Sequence, residues 1–450
     1  MNSSVDGRWQ GSLGAAARGP GHRLVIRGAR FPGDVAIEDG VITEIGSIQP
    51  RSGDDIIDAA GGIVTAGLVN THHHLYQWMT RGRSTACGLF DWLVSLYPVW
   101  GRLSADDVHA AAIVGLADLA LAGCTTAVDH HYLVPAGDVS VFDEVVAAAR
   151  AVGIRLYLSR GSMDLSEEDG GLPPAHVVED RDTILGSTED LVIRYRDDPM
   201  INVVVAPCSP FSVTSELMIE SAAYARRHGL CLHTHLGETV DEDRYCIERF
   251  GRRPLDQLSE WGWIGSDVWF AHGIEFDDRD IARLGHTGTG VAHCPSSNAR
   301  LGLGTCRVAD LRRAGVPVGL GVDGAASNEG GRLLQETRQA LFMARVSARR
   351  ADVLSPIDVM DIATRGGADV LGRPDLGRLE PGAAGDVAVW PADDLADLHD
   401  PIAGLVLGPP RSVEHLLVEG HRVVSDSTLH GVDVAAAQRD LAARVRRLDG

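Results

Sequence analysis

Short apolar runs rich in β-branched residues alternate with longer Ala/Leu-rich segments through the middle of the chain. Strands of a parallel sheet buried on both faces read as continuous apolar runs, each followed by an amphipathic helix. Eight runs fit this description: GIVTAGLV (62–69), CTTAVD (124–129), IRLYLS (154–159), INVVVA (201–206), LCLHTH (230–235), DVWFAH (267–272), GVAHC (290–294) and VPVGLGVD (316–323). Segments 104–122, 138–152, 215–228 and 333–350 carry apolar residues at helical spacing, with Ser104 and Ser215 where an N-cap belongs. Eight strand–helix units predict an α/β fold, a TIM (β/α)8 barrel over residues 62–375.

The pattern changes at both ends. Stretches 22–46, 384–394 and 413–424 alternate apolar and polar residues between turn signals such as PGD and EDG. They predict a small β-sandwich domain built from residues 21–61 and 376–430, with a C-terminal helix over 431–450. Residues 1–20 are rich in Gly, Ala and Ser, lack the apolar stretch of a signal peptide and read as a flexible tail.

Polar residues gather where the predicted strands end, the end at which TIM barrels keep their active sites. The first run leads into NTHHHLYQ. Side chains alternate along a strand, so His72 and His74 face one way and His73 the other. His235 ends the fifth run with Glu238 three residues on, His272 ends the sixth and Asp323 the eighth. Three histidines and an aspartate suit one divalent ion, zinc or iron(II), with a position open for water. Such an ion lowers the pKa of water towards neutrality. Glu238, beside the ligand set but outside it, is placed to carry protons.

Composition narrows the chemistry. The chain contains no lysine, so all 41 basic residues are arginine. P-loop, Schiff-base and pyridoxal phosphate chemistry are thereby excluded, as is a carbamylated lysine bridging two metals. The net charge of −21 argues against nucleic acid and anionic membranes as partners. No apolar run approaches the roughly 18 residues of a membrane span. Seven cysteines without a C-x-x-C pair predict neither a disulfide framework nor a zinc ribbon, and point to a cytoplasmic protein. A zinc site of the H-x-E with P-C-x-x-C design is absent.

The constellation resembles the amidohydrolase superfamily, in its one-metal branch, over roughly residues 22–430. Its H-x-H corresponds to His72 and His74, its H-x-x-E to His235 and Glu238, its HG histidine to His272 and its final aspartate to Asp323. The resemblance implies that His272 hydrogen-bonds the nucleophile, Asp323 helps deprotonate it and Glu238 protonates a ring nitrogen. It also implies a small heterocyclic substrate and a homodimer or larger homo-oligomer. Within the branch, SLYPVW, TTAVDHHYLVP, SRGSMDLSEEDGGLPP, APCSPFSV and HCPSSNARL look like 8-oxoguanine deaminases. PCSPF at 207–211 stands where guanine deaminases carry an Arg-Phe pair. Gln77 matches the family's purine-binding glutamine; Trp100, Cys208 and His131 are further candidate substrate contacts, and Trp92, Tyr97 and Trp100 candidate covers of the pocket mouth. The expected reaction is deamination of 8-oxoguanine to urate. Alternatives are s-triazine hydrolysis, pterin or isocytosine deamination and, remotely, a non-catalytic dihydropyrimidinase-like scaffold.

Overall fold

The computed structural model describes residues 22–392 and 399–449, so the tail expected at 1–20 lies outside the described residues. Eight parallel strands close into a barrel. They are β1 (Leu68–Asn70), β2 (Cys124–His131), β3 (Arg155–Ser162), β4 (Ile201–Pro207), β5 (Leu232–Leu236), β6 (Val268–His272), β7 (Gly290–His293) and β8 (Val318–Leu320). They pair in sequence order, and Leu320 opposite Asn70 closes the ring. Two sheets from the chain ends lie outside it, one of four strands and one of five.

The first predicted strand needs correction. Residues 62–69 are two strands: Ile63–Ala66 pairs antiparallel with Val387–Trp390 in the five-stranded sheet, and only Leu68–Asn70 joins the barrel. Gly67 is the crossing point. Its N–H donates to the Asp386 carbonyl (2.8 Å), and a Cβ there would lie 2.3 Å from the Thr125 side chain. Both pieces are fully buried, so hydrophobicity does not mark the break. The eighth run also ends early. Asp323–Gly324 leaves β8 and pairs with His73–His74 instead, with Asp323 opposite His73.

Helix Ala105–Leu121 begins at Ser104, whose side chain forms a reciprocal capping box with Asp107. For Ser215–His228 the cap is Thr214 and not Ser215, since the Thr214 hydroxyl accepts the Leu217 N–H (3.2 Å). The C-terminal helix Val434–Asp449 docks on Ala105–Leu121, with Arg444 and Arg447 both reaching Asp107. Buried Arg155, at the start of β3, ties the barrel to the five-stranded sheet through Asp386 (2.6 Å) and to the hairpin residue Glu419 (2.9 Å). Among the described residues no helix is long and apolar enough to cross a membrane.

A separate apolar cluster plugs the barrel, drawing Val69, Val128, Tyr157, Val204, Trp269 and Ala292 from six strands. Alternation then puts His130, two residues past Val128, on the same inner face. A dry floor therefore lies beneath the histidines.

Candidate metal centre and catalytic pocket

His72, His74, His235, Glu238, His272 and Asp323 come together at the C-terminal end of the barrel, all nine-tenths or more buried. His74, His235, Glu238, His272 and Asp323 also line one cavity. Two of these residues have strained backbones. His272 (φ 74°) and Asp323 (φ 58°) lie in the left-handed region, which side chains with a Cβ rarely occupy and which clusters at functional sites. The turn re-aims each side chain as its strand ends.

Hydrogen-bond partners fix the imidazole tautomers. His74 donates from Nδ1 to the His130 carbonyl (2.6 Å), and His235 from Nδ1 to the Cys208 carbonyl (2.7 Å). His233 donates from Nδ1 to the Trp269 carbonyl (3.0 Å), so its Nε2 accepts from His72 Nδ1 (2.8 Å). Each of His72, His74 and His235 therefore turns an Nε2 lone pair inward. Burial lowers all three pKa values and keeps the rings neutral. The His74 and His235 Nε2 atoms lie 3.1 Å apart with no proton to place between them, and His72 Nε2 has no hydrogen-bond partner among the described residues. Asp323 Oδ1 lies 3.4 Å from His72 Nε2 and 3.3 Å from His74 Nε2. Converging lone pairs and a carboxylate repel one another unless a cation sits among them. The donor set fits a divalent ion with nitrogen and oxygen ligands.

The carboxylate is held from behind. Asp323 Oδ2 accepts from Ser297 (2.5 Å) and Ser327 (3.1 Å). Ser297 lies on the short helix Pro295–Arg300 with Asn298, whose Oδ1 accepts from His272 Nδ1 (3.0 Å). His272 thereby turns Nε2 to Glu238 Oε1, 3.4 Å away. Burial pushes the Glu238 carboxyl up to about 7. Its backbone N–H donates to buried Glu242 (3.0 Å), which burial pushes up to about 8. A group that holds and releases protons near neutral pH therefore stands beside the lone-pair cluster.

Gln77 lines the cavity, fully buried, and its Oε1 accepts no hydrogen bond from any described residue. Cys208 lines it too, its Sγ 4.0 Å from His235 Nδ1. Two expected contacts do not reach it. Trp100 is wholly buried behind the wall, donating from Nε1 to Thr80 Oγ1 (2.9 Å) and packing on Tyr76, Trp92 and Tyr97. Of the aromatic residues expected at the mouth, only Trp92 and Tyr97 line the cavity. His131 falls on the outer face of β2, against Phe142 and Tyr76, because alternation puts His130 inside. The pocket also uses Tyr132, Ser209 and Phe211, and no arginine among the described residues lines it. Sequence reasoning gave no role to these three, nor to Ser297, Asn298 and His233. The signal for His233 was its position two residues before His235, on the same face.

The Amidohydrolase family pattern matches residues 63–423. The chain is 44% identical to 8-oxoguanine deaminase of Pseudomonas aeruginosa over 429 residues, covering 93% of this chain and 95% of that protein. It belongs to the amidohydrolase family. An isoxanthopterin deaminase from an unknown prokaryotic organism is 38% identical over 452 residues, covering 93% of this chain and 92% of that one. Atrazine chlorohydrolase from Arthrobacter aurescens TC1, solved with zinc, superposes with a TM-score of 0.88 at 29% identity, covering 94% of this chain and 100% of that one. As an amidohydrolase with deaminases among its relatives, the chain is a hydrolase acting on C–N bonds.

Proposed function

We propose that this amidohydrolase uses a single zinc ion to convert 8-oxoguanine and water to urate and ammonia. The observation that carries the reading is the set of three inward Nε2 lone pairs and one carboxylate beside Glu238. His72, His74, His235 and Asp323 would hold the ion, and their tautomers leave one cluster of lone pairs, which suits one ion and not two. A divalent ion bound there acidifies water towards neutrality, so that a nucleophile exists at physiological pH.

The protein's own groups do the rest. His272 holds the attacking water through Nε2, and Asp323 accepts a proton from it. Glu238 delivers a proton to the ring nitrogen beside the amino-bearing carbon. The water oxygen bonds to that carbon, Asp323 passes its proton to the amino group, the C–N bond breaks to release ammonia, and the remaining hydroxyl returns its proton to Glu238 as it becomes the carbonyl. Gln77 offers a free amide oxygen to a ring N–H. The aromatic, arginine-free lining favours a neutral planar ring.

The likeness to 8-oxoguanine deaminase supports the oxidised purine. Pterin deamination is the second reading, favoured by the likeness to isoxanthopterin deaminase. Both substrates share a 2-amino-pyrimidinone half, so the same attack serves either. The test is ammonia release from 8-oxoguanine, guanine, isoxanthopterin, isocytosine and an s-triazine. We expect urate from 8-oxoguanine with kcat/KM at least about tenfold above guanine, because a site built to bond the extra oxygen rejects the analogue lacking it. Equal rates on the two purines make it a general aminopurine deaminase. No urate at all, with turnover of isoxanthopterin, gives the second reading.

A further inference from the structure

His233 is fully buried and does not line the cavity. Its ring stacks on Trp269 at 4.5 Å and 16°, and the Trp269 indole is anchored through Nε1–H to the Thr71 carbonyl (3.2 Å). With its Nδ1–H committed to the Trp269 carbonyl (3.0 Å), its Nε2 is an acceptor, 2.8 Å from His72 Nδ1. We propose that His233 is the positioning residue for the metal centre, fixing the tautomer of His72 so that Nε2 presents a lone pair to the ion.

A neutral imidazole otherwise adopts either tautomer, and the other would aim an N–H at the ion. His74 and His235 solve the same problem with backbone carbonyls, of His130 and Cys208. Those acceptors come with the fold and no side-chain substitution removes them. The His72 tautomer is set by a side chain, so its orientation is open to mutation. Outer partners of this kind orient metal-bound histidines and raise their basicity.

The inference rests on reading His72, His74, His235 and Asp323 as the ion site, and the test separates the two ideas. Zinc affinity is measured by competition with a chromogenic chelator for wild type, His233→Leu, His233→Gln and His72→Ala. The glutamine places an acceptor oxygen near the position of Nε2; the leucine does not. We expect His233→Leu to bind zinc about 10- to 100-fold more weakly and His233→Gln to recover most of that loss. A merely structural residue would lower the thermal stability of both metal-free variants without separating their zinc affinities. Wild-type affinity in His233→Leu overturns the inference. Zinc absent from wild type, or retained by His72→Ala, overturns the ion-site reading instead. If His233→Leu does not fold, the histidine ¹⁵N spectrum of the wild-type protein decides. A protonated, pyrrole-type Nδ1 at His72 supports the inference, and a pyridine-type Nδ1 refutes it.

Discussion

Replacing Glu238 by glutamine is expected to make the protein nearly inactive and, in neutral solution, more stable. Glutamine keeps the size and one acceptor of the carboxyl but carries no exchangeable acid proton. Loss of a general acid–base costs about 10²- to 10⁴-fold in turnover. At 1.36 kcal/mol per decade that is about 3–5 kcal/mol of transition-state stabilisation. The stability change follows from burial. The carboxyl has an ordinary value of 4.5 and is pushed up to about 7 in the folded protein, chiefly by desolvation. Below pH 4.5 both folded and unfolded chains hold this proton, so the group contributes no pH dependence. Between pH 4.5 and 7 the unfolded chain ionises while the folded one does not, and stability falls as pH rises. The shift, at 1.36 kcal/mol per unit, gives a wild-type penalty of about 3 kcal/mol above pH 7. Glutamine escapes it.

The measurement is urea unfolding of metal-free wild type and Glu238→Gln from pH 4.5 to 8, alongside steady-state kinetics of the zinc-loaded proteins. The stability gap should open with rising pH in favour of the variant, while zinc content stays at the wild-type level. A gap that does not change with pH refutes the burial argument, and turnover within tenfold of wild type refutes the proton-carrying role.

Elemental analysis should find about one zinc or iron per chain, lost in His72→Ala and kept in His73→Ala, whose Nδ1 accepts the His74 N–H (2.8 Å); two ions in wild type would sink the mononuclear reading. Gly324→Ala would put a Cβ 1.8 Å from the Gln77 Oε1, and displacing that amide should raise KM about tenfold, the worth of one hydrogen bond, with a smaller change in kcat. An unchanged KM would remove Gln77 from substrate recognition. Trp100→Phe should leave KM alone but cost about 1–2 kcal/mol in urea unfolding, through the lost bond to Thr80 and looser packing; a raised KM with unchanged stability would restore Trp100 to the pocket.

The barrel was legible because each strand is a short apolar run, and the site because strand ends concentrate polar residues that a buried core does not otherwise tolerate. Alternation placed His72 and His74 together, and Asp323 lies against both. The errors have the same source. An apolar run reads identically whether it is buried in the barrel or in the flanking sheet, so the break at Gly67 left no trace. The alternation that placed His72 and His74 needs a known phase, and HH at 130–131 offers either phase. Trp92, Tyr97 and Trp100 share the one buried stripe of helix Leu89–Trp100, and helical spacing does not say which of them reach the cavity.

What the sequence withholds altogether is the direction of protons. His72, His74 and His235 are alike as letters, yet two take their tautomer from backbone carbonyls of neighbouring strands and one from His233. Carbonyl positions follow from strand pairing, and strand pairing from the whole barrel. Likewise His272 faces Glu238 only because Asn298 holds its other nitrogen, across a turn with φ 74°. The candidate ligand residues were therefore readable one by one, whereas the proton placement that suits them to a metal belongs to the closed fold. By the same argument, a substitution at Trp269, which stacks on His233 and does not line the cavity, is expected to weaken metal binding through proton placement at His233 and His72 without removing any candidate ligand.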